Sequence, residues 1–95
     1  MLVPVRRTER RLFKLNEELA RLRREEELTR DELQMHAHLN DDYQRDAIVS
    51  DAPADRFDAR QSGKDVARLQ GALADVRSRI DRVERQRADL LAKLD

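Results

Sequence analysis

Apolar residues recur along this chain at alternating steps of three and four. Taking Leu12 as position a of a heptad, the a and d positions are Leu12, Leu15, Leu19, Leu22, Glu26, Thr29, Leu33, His36, Asn40, Tyr43 and Ala47. A second run keeps the same spacing through Val66, Leu69, Leu73, Val76, Ile80, Val83, Arg87, Leu90 and Leu94. This is the period of helices that pack along a seam, and it predicts one helix over about residues 4–49 and another over about 56–95. Pro4 suits the first helical turn, where its missing N–H has no partner to lose.

Between the runs lies Ser50-Asp51-Ala52-Pro53-Ala54-Asp55. Pro53 does not fit a helix interior and pushes Ala52 out of the helical region, so the turn is expected at about 50–55. Ser50 or Asp51 would cap a helix starting near Ala52. Ser62-Gly63-Lys64-Asp65 resembles a capping box and is a rival start, which would leave residues 50–62 as a loop or a short extra helix and place a break near 62–64. Two long helices joined by a short turn lie antiparallel. The expected fold is therefore all-α, a long antiparallel two-helix coiled-coil hairpin forming a single domain over residues 1–95.

The register of such a hairpin decides which side chains meet. One alignment sets Leu19 opposite Leu90, Leu22 opposite Arg87, Glu26 opposite Val83 and Leu33 opposite Val76. It brings the two ionic seam residues, Glu26 and Arg87, together. On the flanks it sets Arg23 near Glu84, Glu18 near Lys93 and Glu32 near Arg79, with Arg30 against Arg77 as the one conflict. Sliding by a heptad separates Glu26 from Arg87. Because an unpaired buried charge costs roughly 3 to 5 kcal/mol and a surface pair gives only about 0.2 to 1 kcal/mol, the first alignment is preferred.

Composition agrees with helices, since Ala, Glu, Lys, Leu and Arg make up 52 of the 95 residues. The absence of Cys excludes disulfides, thiolate zinc sites and a Cys nucleophile. No apolar run approaches 18 residues, so no membrane span is expected, and the chain is expected to be cytoplasmic. Arg outnumbers Lys 17 to 3, yet 20 basic residues are balanced by 20 acidic ones, and a formal net charge of zero argues against nucleic acid as a partner. Charge is unevenly spread. Residues 39–58 hold six Asp against Arg45 and Arg56, whereas residues 1–15 hold Arg6, Arg7, Arg10, Arg11 and Lys14 against Glu9.

A lone two-helix hairpin leaves half of each apolar stripe wet, and small domains without a disulfide or metal usually need a partner. Leu28, Met35 and Leu39 form a second stripe on the first helix, at positions that do not share a neighbour with Leu33 and Tyr43. Isolated surface apolar residues would explain them; a self-association face is the reading preferred. With the acidic turn and basic open end attracting when antiparallel, the expected assembly is an antiparallel homodimer, pairing two hairpins into a four-helix bundle. A further protein partner of unknown identity is also expected.

The polar seam residues Glu26, His36, Asn40 and Arg87 read as buried devices that set register or oligomeric state. His36 and His38 with nearby aspartates give a metal site little support, because Asp41 and Asp42 do not share the face of His36. Glu26 and Arg87 are an acid and a base, but a filled seam offers a substrate no pocket. The serines at 50, 62 and 78 have no His at motif spacing, and no phosphate-cradling glycine loop exists. No enzymatic activity, catalytic residue, metal or cofactor is expected. The basic arm of Arg6, Arg7, Arg10 and Arg11, together with Arg77, Arg79, Arg82, Arg85 and Arg87 on the last helix, could meet phosphates, yet Asp81, Glu84 and Asp89 are interspersed and no aromatic sits among the C-terminal arginines for base stacking.

The acidic turn, with Asp41, Asp42, Asp51, Asp55 and Asp58, resembles in outline the helical-hairpin arms of the Gre transcript-cleavage factors, which enter the RNA polymerase secondary channel. The resemblance covers shape and tip charge. It implies that these carboxylates form a partner-binding tip acting at the polymerase's catalytic magnesium. The 95 residues hold no zinc cluster and no tip motif that matches residue by residue. In length, Arg bias and layout the whole chain looks like the small uncharacterised coiled-coil hairpin proteins of high-GC actinobacteria, a resemblance that implies the fold and supplies no function.

Overall fold

The structure is a computed structural model that describes residues 3–94, with side chains from Arg6 onward; Met1, Leu2 and Asp95 lie outside the described residues. It contains two helices, α1 (Val3–Val49) and α2 (Pro53–Leu94), packed against each other as an all-α hairpin. Three residues connect them. The Ser50 N–H continues the helical ladder to the Asp46 carbonyl at 3.0 Å, and the Ala52 carbonyl accepts from the Asp55 and Arg56 N–H groups at 3.2 and 3.4 Å. Ala52 is thus the cap residue of α2, and Pro53 takes the first helical position, where its fixed φ suits the helix and its missing N–H costs nothing. Ser50 Oγ accepts from the Ala52 N–H at 3.1 Å, closing the turn.

The second helix therefore starts at Pro53, one residue from the start near Ala52 expected from a Ser50 or Asp51 cap and three before the outer bound of 56, and it runs through Ser62–Lys64 without a break. The capping-box resemblance at Ser62 is overridden by packing. Ala59 and Ser62 are buried and continue the three-four spacing of Val66 and Leu69 back toward the turn. Small residues carry no apolar signal, so the seam begins two positions sooner than its large residues suggest.

The chain divides into two compact units, one made of Met1–Glu26 with Asp75–Asp95, the other of Glu27–Ala74. In the first, Leu19, Leu22, Val76, Ile80, Val83 and Leu90 are buried. Each such burial contributes about 1.5 to 3 kcal/mol relative to exposure. Three ion pairs join its helices: Arg77 Nε donates to Glu26 Oε2 at 3.1 Å, Arg79 Nη2 to Glu25 Oε1 at 3.0 Å, and Arg23 Nη2 to Glu84 Oε1 at 3.3 Å. In the second unit, Ala59, Ser62, Leu69 and Leu73 are buried, and Gln44 Nε2 crosses between helices to donate to the Ala59 carbonyl at 2.9 Å. A Cβ on Gly63 would lie 4.0 Å from Asn40 Oδ1.

These contacts overturn the preferred register. Glu26 is level with Arg77 rather than Val83, Glu25 with Arg79, Asn40 with Gly63 and Gln44 with Ala59, which is close to the heptad-shifted alternative. The cause is the connection. With helices ending at Val49 and resuming at Pro53, the midpoint is Asp51, and the preferred alignment would need it half a heptad later. The Arg23–Glu84 pair is present all the same, because two long side chains reach across the offset. The penalty that favoured the other alignment does not arise, since the Glu26 side chain stays 28% exposed and finds Arg77 from the flank.

Two measurements check the register and the helix interior. A double-mutant cycle on Glu26 and Arg77 is expected to give a coupling of about 0.2 to 1 kcal/mol, with none between Glu26 and Arg87. Gly71 lies inside α2, and a Cβ added there would meet nothing within 4 Å. Gly71→Ala should therefore raise stability by about 0.5 to 1 kcal/mol in thermal or urea unfolding.

Candidate interaction surface

The apolar stripe expected on α1 is exposed, with Leu28 at 64%, Met35 at 54% and Leu39 at 42%. All three belong to the Glu27–Ala74 unit. Met35 and Leu39 line a shallow groove with Ala37 and with the polar side chains of Asp31, Gln34, His38 and Asp41. Leu39 also borders a second groove, where α2 contributes Phe57, Asp58, Gln61, Ser62 and Asp65, and α1 adds His36 and Tyr43. Tyr43 and Phe57 are themselves exposed. Phe57 is not among the residues the sequence singles out, because it falls beside the segment read as turn or loop; once α2 starts at Pro53, it stands in that helix's second turn.

The four seam residues expected to be buried are half-buried instead. In a two-helix seam each a or d side chain has a neighbour on one side and solvent on the other, so long polar groups reach water. Among the described residues, the buried polar one is Ser62. Glu26 and Arg87 are not brought together: Glu26 pairs with Arg77, and Arg87 borders a groove with Arg23, Glu84, Ala88 and Leu91. Asn40 Oδ1 accepts from Gln44 Nε2 at 3.1 Å, and the same Gln44 amide nitrogen bonds the Ala59 carbonyl. Together they form a polar clasp across the seam. Gln44 lies beside the seam, where its amide has no apolar pattern to draw attention to it. No side-chain nitrogen or oxygen is left buried and unpaired among the described residues.

At the turn, Asp41, Asp42 and Asp51 are exposed and Asp55 is half-buried in the first turn of α2, where the helix dipole favours a carboxylate. Arg45 folds back on α1, donating through Nη2 to Asp42 Oδ1 at 2.8 Å and through Nε to the Asp41 carbonyl at 3.3 Å. Arg56 donates through Nη2 to the Asp51 carbonyl at 2.8 Å. Both local cations are thus engaged with their own chain. Ile48 and Val49 are exposed beside these carboxylates. The described residues bring no three His, Asp or Glu side chains together in a way that would hold a metal ion.

Of the arginines weighed for phosphate contact, Arg77 and Arg79 are engaged by Glu26 and Glu25, whereas Arg6, Arg7, Arg10 and Arg11 are exposed on α1. No helix among the described residues is long and apolar enough to cross a membrane. No protein-family model matches the chain, and no curated protein or solved structure is significantly similar to it.

Proposed function

We propose that this protein is a non-enzymatic coiled-coil interaction or scaffold module of the cytoplasm, acting through self-association and a protein partner. The observation that carries the reading is the exposed apolar surface of the Glu27–Ala74 unit. There Leu28, Met35, Leu39, Tyr43 and Phe57 face solvent, while Leu69 and Leu73 are the large apolar side chains buried among its described residues. Phe13, Leu91 and Leu94 are exposed in the other unit, but most of the exposed large apolar side chains lie here, and apolar groups that adjoin one another within a polar rim mark an interaction site more often than scattered ones do. The assembly proposed is an antiparallel homodimer forming a four-helix bundle, with Leu28, Met35 and Leu39 at its interface.

A second reading is a regulatory hairpin whose acidic turn docks into a larger basic machine such as a polymerase. What favours it is that Arg45 and Arg56 are spent on local bonds, which leaves the Asp41 and Asp51 carboxylates free to meet an outside cation.

Leu28→Lys combined with Met35→Lys is expected to halve the mass measured by sedimentation equilibrium, and an unchanged mass would remove self-association through this stripe. For the second reading, changing Asp41, Asp42, Asp51 and Asp55 to Asn should abolish recovery of a polymerase subunit copurified with the wild-type protein; equal recovery would dismiss it.

A further inference from the structure

Three features differ between the two units, and all point the same way. The unit of Met1–Glu26 and Asp75–Asp95 buries six large apolar side chains, whereas Glu27–Ala74 buries Leu69 and Leu73 together with the small Ala59 and Ser62. The ion pairs that bind α1 to α2 through Glu25, Glu26 and Glu84 all fall in the first unit. Both glycines, Gly63 and Gly71, fall in the second, inside α2, where each weakens a helix by about 0.5 to 1 kcal/mol relative to Ala. A region with few buried apolar contacts and weak local propensity opens more readily than its neighbour.

We infer that the Glu27–Ala74 unit acquires its full order from a second copy of this chain, so that self-association and local folding of the turn-bearing half are one coupled event. The inference rests on the self-association reading above. Area favours it: at ~150–250 Å² for a full side chain of this size, the exposed parts of Leu28, Met35, Leu39, Tyr43 and Phe57 offer about 500 Å² per copy. Two copies reach about 1,000 Å², the lower bound for a specific interface, before any flanking residue is counted.

Self-complementarity favours a second copy over an unrelated protein. A two-fold axis passing between Leu33 and Gln34 sets Leu28 of one copy against Leu39 of the other, with Asp31 near His38, and keeps the two Glu32 carboxylates apart. A parallel pairing would instead stack Glu32 on Glu32 and Asp31 on Asp31, which like charge opposes. A ligand that binds only the ordered form stabilises that form by mass action, and here the ligand is the chain itself.

Amide hydrogen exchange on the full-length protein, followed by mass spectrometry across a dilution series, tests the coupling. As dimer gives way to monomer, amides in residues 27–74 should exchange about tenfold faster or more, while those in residues 1–26 and 75–95 change much less. Leu28→Lys with Met35→Lys, monomeric at every concentration, should show the fast pattern throughout, and it decides the matter if wild type stays dimeric at the greatest dilution. A monomeric variant whose two units exchange alike, or whose residues 27–74 stay as protected as in the wild-type dimer, leaves self-association standing and overturns the coupling. A wild-type protein that is monomeric at every concentration overturns both.

Discussion

The three-residue connection from Ser50 to Ala52 is the constraint on which the rest of the hairpin depends. Helices are stiff, with a fixed rise per residue, so once the chain leaves α1 at Val49 and resumes α2 at Pro53 every later pairing is set. Glu26 then meets Arg77, Glu25 meets Arg79, and Gln44 reaches Ala59. Proline makes the connection this short. It restricts Ala52 before it and starts α2 immediately after, and Ser50 Oγ holds the Ala52 N–H in the tight path between.

A two-helix seam tolerates polar residues that a closed bundle would not. Glu26, His36, Asn40 and Arg87 remain half-buried, so none of them bears the full desolvation of a buried charge. Flanking groups finish their satisfaction, as Arg77 does for Glu26 and Gln44 for Asn40. The same openness is what leaves apolar surface available. Closing the bundle with a second copy would exchange one property for the other, burying Leu28, Met35 and Leu39 and drying the groove beside His36.

The division of labour between the units follows from where the large aliphatic residues stand. Val76, Ile80, Val83 and Leu90 on α2 are buried in a unit whose α1 supplies Leu19 and Leu22. Near the turn, the buried residues are the small Ala59 and Ser62, and the large apolar residues Tyr43 and Phe57 are exposed. Most of the large buried aliphatic residues and most of the exposed large apolar ones thereby fall in different units of one sequence.

Helix identity, antiparallel pairing, and the exposed character of Leu28, Met35 and Leu39 were all legible in the order of residues, because a three-four apolar period and a proline act locally and need no knowledge of what lies across the seam. The register, the continuity of α2 through Ser62–Lys64, the burial of Ser62 and the prominence of Phe57 were not. Each depends on how long the turn is and on how closely two backbones approach, and small residues that allow close approach leave no apolar mark. The Glu26–Arg87 pairing failed for a related reason: it assumed that a charge at a seam position must be buried, whereas solvent exposure is a property of the folded neighbours and of how many helices surround the seam. The chain alone therefore determined which residues form helices and which face is apolar; only tertiary structure decided which of those faces met, since that choice is made by the geometry of the connection rather than by any residue's own preference.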